Sequence, residues 1–192
     1  TEGWPAAMEL LAMALNDTLD PVRWIAEFAA TDRSVLEYLS DAVFGRLPQE
    51  LRRSVHALAQ FDRFCPELAA AALGTDRVDI LFADLQRRHL LLIPLDRQER
   101  WFRFHQLACE YLRRHDPRDA SEVRGGLTRG GQWLFGQGMV DDAIDCTVRA
   151  HEWDVACRWL VRAAEDSAQR RGDGANLMRW MAAIPGAVLD RY

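Results

Sequence analysis

The sequence predicts a mainly α-helical protein in which a helical first segment, a winged helix with one small β-hairpin and an irregular array of α-hairpins follow one another. Apolar residues recur at helical spacing along most of the chain, and two short β-like runs around a polar turn interrupt this pattern once. Hydrophobic residues make up 49% of the 192 residues, enough to form a packed core. We therefore expect three parts, 1–46, 47–116 and 117–192.

The first part, 1–46, is predicted to be helical. Pro5 suits the first turn of a helix, because the N–H that proline lacks would have no partner there. Apolar residues then recur at helical spacing from Met8 to Leu15. The pair Thr31-Asp32 can cap a second helix.

The second part, 47–116, has the element order of a winged helix. Apolar periodicity predicts three short helices, and two strand-like runs around a polar turn predict a hairpin. A further helix, His105 to Arg114, should leave the hairpin at once. The other predicted elements are a helix through Leu51 and Val55, a helix at Pro66 to Leu73, a helix at Arg77 to His89, and strands at Leu90 to Ile93 and Trp101 to Phe104.

The third part, 117–192, is predicted to be a helical arm of α-hairpins. Asp116-Pro117-Arg118-Asp119 marks its start, since proline restricts the residue before it and polar neighbours favour a turn. Short helices joined by Gly-marked turns suggest a tetratricopeptide-like array, although a full 34-residue period is missing. Four glycines crowd the segment Val123 to Gly131, and each would cost about 1 kcal/mol inside a helix relative to Ala. We therefore expect a frayed or hinged helix start, with a hinge at 116–126.

The predicted winged helix raises the question of DNA binding. Its third helix, Arg77 to His89, would be the recognition helix and carries Arg87 and Arg88 near its end. Asp79 and Asp84 lie on the same helix and would repel phosphates. The net charge of −5 also argues mildly against a surface built for nucleic acid. A solvated helix face is therefore the favoured interpretation.

A catalytic or metal site is not predicted within this segment. All 24 basic residues are Arg, and the absence of Lys excludes Schiff-base chemistry and a P-loop lysine here. His105 and Cys109 are spaced i, i+4 and would share a helix face, but a zinc site needs two more ligands and no ligand-spaced pair supplies them. We expect neither an enzyme nor a metal centre.

The cysteines and the apolar runs indicate a cytoplasmic protein with no membrane segment. The four cysteines form no C-x-x-C pair, which is typical of buried thiols in a reducing compartment. The longest apolar runs, such as Leu90 to Pro94, are far too short to span a bilayer.

Several segments resemble one family, the large ATP-dependent LuxR-type transcription activators, the group of the maltose-regulon activator within the STAND class of signal-transduction ATPases. The resemblance runs in order from residue 1 to about 160, and it departs from the family at Val123 to Gly131. The segments that carry it are Thr1-Glu2-Gly3-Trp4-Pro5, Leu47-Pro48-x-x-Leu51, Phe61-Asp62-Arg63-Phe64-Cys65, Leu92-Ile93-Pro94-Leu95-Asp96 and Trp101-Phe102-Arg103-Phe104-His105-Gln106-Leu107.

This resemblance implies a place inside a larger protein, in which 1–46 would be the end of a helical lid, 47–116 the winged helix and 117–192 the arm. Members carry an upstream P-loop ATPase that binds ADP or ATP with Mg²⁺, a lid, a winged helix, an arm, a downstream sensor and a separate C-terminal DNA-binding domain. The chain would then work with the ATPase and sensor domains in cis, self-associate on activation and reach DNA through another domain. The isolated segment would need no cofactor of its own.

The resemblance also implies nucleotide-binding residues. Gly3 and Pro5 stand where the class has a Gly-x-Pro motif whose proline packs against adenine, and His105 stands where the winged helix offers a histidine to the β-phosphate of ADP. The implied function is a relay segment that closes over ADP at rest and transmits inducer binding to oligomerisation. The alternatives are a winged-helix DNA-binding protein or a helical interaction scaffold that binds no nucleotide. In those cases Pro5 would only start a helix and His105 would only cap one.

Overall fold

The computed structural model of the chain describes residues 43–88, 90, 92–170 and 174–191, except for the side chains of residues 107, 165–170 and 174–175. Of the helices predicted in 1–46, only the end at Val43 and Phe44 is described, and it is helical, whereas Gly3 and Pro5 lie outside the described residues. Within the described part of the chain, no helix is long and apolar enough to cross a membrane.

The described residues form helices and a single two-stranded hairpin. This confirms the predicted mainly α class, in which one β-hairpin follows three helices. The elements are α1 (Gln49–Leu58), α2 (Pro66–Leu73), α3 (Val78–Arg87), β1 (Leu92–Pro94), β2 (Phe102–Phe104), α4 (Gln106–Arg114), α5 (Ala120–Gly136), α6 (Val140–Arg149), α7 (Trp153–Arg170), α8 (Gly174–Ala183) and α9 (Gly186–Leu189).

The chain divides into two compact units, and they do not follow one another in sequence. The first unit contains the described residues up to Pro66 together with Arg77–Pro117. The second contains Glu67–Asp76 together with the described residues from Arg118 onwards, which we call the arm. Helix α2, which lies inside the predicted range 47–116, is thus grouped with the arm from Glu67 on.

A small sheet organises the first unit. Strands β1 and β2 pair antiparallel, with Leu92 opposite Phe104 and Pro94 opposite Phe102. Phe64 extends this sheet by one bridge, because its N–H donates to the Phe102 carbonyl and its carbonyl accepts from the Phe102 N–H, both at 2.8 Å. The segment before α2 is thereby fixed to the second strand of the hairpin.

Four phenylalanines form the core beneath this sheet. The Phe64 ring centre lies 5.1 Å from that of Phe104 and 6.0 Å from that of Phe82, and Phe82 lies 5.4 Å from Phe102. All four side chains are buried. Tilted and edge-on ring pairs at such distances stabilise a core beyond the area they bury.

The arm packs its helices around a second core. Its buried residues come from α6, α7, α8 and the short last helix, and they are Ile144, Ala156, Cys157, Leu160, Trp180, Ile184 and Val188. A polar contact also joins α6 to α8, since the Trp180 indole N–H donates to the Asp145 carboxylate at 2.6 Å. Buried tryptophan usually finds such a partner for its N–H.

The first arm helix, α5, corrects the predicted frayed start. Asp119 caps it by accepting hydrogen bonds from the backbone N–H groups of Ser121 and Glu122 at 2.8 and 2.9 Å, and the helix continues without a break to Gly136. The prediction of a frayed helix start is therefore wrong, and the hinge at 116–126 stays a prediction.

The glycines of α5 serve close packing. Gly126, Gly130 and Gly131 are buried. A Cβ added at Gly131 would lie only 3.1 Å from the Cys146 Cβ and 3.3 Å from the Ala143 carbonyl oxygen. The absence of a side chain allows α6 to approach the α5 backbone, so the helix-propensity cost of glycine is offset by packing that a local pattern does not reveal.

Candidate functional site

The candidate site lies where β2 passes into α4. Phe102 and Phe104 are buried on one side of the strand, and His105 follows directly as the last residue before the helix. His105 is 9% exposed. Its carbonyl accepts the Cys109 N–H at 3.0 Å, which is the first hydrogen bond of the helix. The imidazole therefore extends from the N-terminal boundary of α4.

Helix α4 is held in place by polar contacts to the end of α1. The buried His56 ring donates from Nδ1 to the Leu112 carbonyl at 2.8 Å. Arg113 donates from Nε to the Ala59 carbonyl at 2.6 Å and from Nη2 to the Asp62 carboxylate at 2.8 Å. These contacts join residues more than 50 positions apart and fix the direction from which His105 enters the site.

Sequence reasoning missed these positioning residues. His56 and Gln60 are polar residues inside an otherwise apolar buried stretch, Val55 to Phe61. Gln60 donates to the Asp116 carboxylate at 3.1 Å and so fixes the far end of the same helix. A polar residue at a core position usually has a specific partner, and this signal could have identified both.

The first turn of α4 favours an anion. It contains no acidic residue. The first backbone N–H groups of a helix have no partner within it, and together with the helix dipole they present partial positive charge at that end. Arg103, on β2, adds a half-buried cation two residues before His105. The junction is thus electrostatically suited to a negatively charged group.

Cys109 is one turn beyond His105 and is not prepared for thiolate chemistry. Burial raises the pKa of its thiol above the ordinary value, an effect that the Arg113 and Arg103 charges only partly oppose. Its Sγ lies 3.9 Å from the Phe104 carbonyl oxygen. Reactive cysteines have lowered pKa values, so the thiol is expected to stay protonated at neutral pH.

The predicted pairing of His105 with Cys109 gains no further ligand within the described part of the chain. There, no three or more His, Cys, Asp or Glu side chains come together in a way that could hold a metal ion. A structural zinc site requires four ligands.

The predicted recognition helix is α3, and its surface is mixed in character. Arg87 forms an ion pair with Asp84 of the same helix. Asp79 is exposed, and Ile80 is 65% exposed. Because Arg87 is neutralised within its own helix and an apolar side chain is prominent, this surface is poorly suited to phosphates.

One carboxylate organises the turn between β1 and β2, which is the wing of the winged helix. Asp96 accepts hydrogen bonds from the backbone N–H groups of Gln98, Arg100 and Trp101 at 2.9, 3.1 and 2.8 Å. The bonds from Arg100 and Trp101 are the main reason why the pKa of Asp96 is lowered from its ordinary value. Asp96 therefore has a structural function in the turn.

Comparison with known proteins finds one family model and two groups of relatives. Residues 40–123 match the family model of the MalT winged helix domain. The chain is 36% identical over 117 residues to the HTH-type transcriptional regulator MalT of Vibrio campbellii (58% of this chain, 12% of the relative). It is 34% identical over 115 residues to MalT of Vibrio parahaemolyticus (58% and 12%). These matches agree with the resemblance to the maltose-regulon activator.

A second group of relatives has a different name. The chain is 28% identical over 151 residues to the serine/threonine-protein kinase PknK of Mycobacterium tuberculosis (78% of this chain, 14% of the relative). The chain thus spans between 12 and 14% of the length of these curated relatives.

Proposed function

We propose that this chain is a regulatory relay segment of an ATP-dependent transcription regulator, which closes over ADP in the resting state and transmits inducer binding to self-association. In the intact cytoplasmic protein an upstream ATPase domain would bind ADP or ATP with Mg²⁺. A downstream sensor would receive the inducer, and a separate C-terminal domain would bind DNA. Gly3 and Pro5 would form the Gly-x-Pro motif whose proline packs against the adenine, and His105 would contact the β-phosphate.

The observation that supports this proposal best is the placement of His105. It is a buried side chain at a strand-to-helix junction, and the helix that follows has no acidic residue in its first turn. An imidazole N–H at this position could donate a charge-assisted hydrogen bond to a phosphate oxygen. The α4 N-terminus would add favourable electrostatics.

The relatives support a relay function and not an output function. One group is named as transcriptional regulators and the other as a protein kinase, and this chain is similar to both. A segment common to proteins with two different outputs is better suited to transmitting a signal than to performing the final reaction. We accordingly propose that the isolated chain is not an enzyme.

The test of this proposal is His105→Ala in the intact regulator. A hydrogen bond to a charged group contributes about 1.5–3 kcal/mol, and each 1.4 kcal/mol is about a factor of ten in an equilibrium constant. If the bond exists only in the closed state, its loss shifts the closed–open equilibrium by about ten- to a hundredfold. We expect faster ADP dissociation by that factor and transcription without inducer.

A matched control separates this effect from helix capping. His115→Ala removes an exposed histidine whose ring nitrogen contacts the Tyr111 carbonyl, at the other end of the same helix region, and it should leave ADP dissociation unchanged. His105→Gln keeps an N–H donor and should restore part of the ADP retention. A lowered thermal midpoint in His105→Ala together with a wild-type ADP dissociation rate would show that His105 only caps the helix.

A further inference from the structure

We propose that α2 moves as part of the arm, so that a displacement of the arm is transmitted into the winged helix through this helix. In chain order α2 is the second of the three helices that precede the hairpin. From Glu67 on, however, it lies in the same compact unit as the residues from Arg118 onwards. The inference concerns how the segment transmits motion, and it does not depend on nucleotide binding at His105.

Arg129 of α5 holds the C-terminal end of α2. Its Nε donates to the Ala71 carbonyl at 3.2 Å, and its Nη2 donates to the Ala72 carbonyl at 2.6 Å. The last carbonyls of a helix have no partner within the helix, so a guanidinium that satisfies two of them acts as a cap. The positive charge also complements the negative end of the helix dipole.

The start of α5 lies close to this end of α2. A Cβ added at Gly126 would lie 3.5 Å from the Ala72 carbonyl oxygen, and one at Gly125 would lie 3.4 Å from Nη1 of Arg129, both at ordinary van der Waals distance. The α5 backbone at Gly126 therefore lies beside the same carbonyl that Arg129, about one turn further along α5, binds.

Both ends of α2 continue into the first unit. The chain enters the helix just after Phe64, which is paired with Phe102 in the sheet. It leaves the helix through Gly74 and then continues into α3. The φ of Gly74 is +66°, a left-handed conformation that ends the helix and that glycine adopts without strain. Any rotation of the arm that carries α2 is therefore transmitted to the Phe64 bridge and to the start of α3, through connections of a few residues.

Amide hydrogen exchange on the whole 192-residue chain tests this assignment, with the amides of Leu68–Leu73 as the readout. Gly131→Ala loosens the α5–α6 contact without touching α2. Phe104→Leu loosens the core of the first unit. If α2 moves with the arm, Gly131→Ala should raise exchange in α2, α5 and α6 together by about fivefold and leave α1 unchanged. Phe104→Leu should raise exchange in α1 and leave α2 unchanged.

A second pair of variants tests the cap that Arg129 forms on the end of α2. Arg129→Ala should raise exchange at the end of α2 by about tenfold or more, since it removes two charge-assisted hydrogen bonds. Arg124→Ala removes the same charge from an exposed position of the same helix and should leave α2 unchanged. The inference would be overturned if Phe104→Leu raised exchange in α2, whether or not Gly131→Ala also raised it. It would also be overturned if exchange in α2 responded to neither Gly131→Ala nor Arg129→Ala.

Discussion

Replacing Gly131 by Ala places two opposing effects at one position of α5. Alanine favours a helix over glycine by about 1 kcal/mol. The new Cβ, however, would lie 3.1 Å from the Cys146 Cβ and 3.3 Å from the Ala143 carbonyl oxygen. Both atoms are attached directly to the α6 backbone, so the contact is relieved only if the whole helix moves. Overpacking of this kind costs about 1–3 kcal/mol, and we expect Gly131→Ala to destabilise the arm by about 1 kcal/mol.

The matched control is Gly136→Ala in the same helix. A Cβ at Gly136 would meet nothing within 4 Å, so only the gain in helix propensity remains, and the arm should be stabilised by at most about 1 kcal/mol. Amide exchange in α5 and α6 measures the free energy of opening for both variants. If Gly131→Ala stabilised the arm as much as Gly136→Ala does, the close approach of α5 and α6 would be refuted.

Three further predictions concern the first unit. Phe64→Ala should lower its free energy of unfolding by about 3–5 kcal/mol, because it empties a fully buried site, whereas Phe64→Leu should cost less than about 1.5 kcal/mol in the same urea titration. The hydrogen bonds to Asp96 lower its folded-state pKa, so its contribution to stability should be present above the unfolded-state pKa of about 3.9 and be lost as the pH falls through the folded-state value. Asp96→Asn should abolish that part of the acid dependence, and a carboxyl pKa at or above the ordinary value by NMR titration would contradict the assigned bonds. The chain should not shift duplex DNA at physiological salt, given the mixed surface of α3. A gel shift that disappears with Arg87→Ala and Arg88→Ala would instead support the DNA-binding alternative.

Local patterns were sufficient to predict the order of the elements. The helix predicted at Pro66 to Leu73 has those bounds, and the helix predicted at His105 to Arg114 begins one residue later, at Gln106. Periodicity, capping residues and turn residues act over a few positions, and they determine which segments become helices and strands. The same local signals located His105 at the junction between strand and helix, where the structure places it.

Only the tertiary structure determines which residues distant in sequence contact each other. The prediction of a frayed helix start from the glycine cluster of α5 failed because glycine in a sequence has the same appearance whether it breaks a helix or, as at Gly131, allows another helix to approach. The contact of His56 with Leu112 and that of Arg129 with Ala72 each join residues more than 50 positions apart. Such contacts depend on steric fit and on hydrogen-bond geometry between packed helices, and these are properties of the assembled fold that no local pattern encodes.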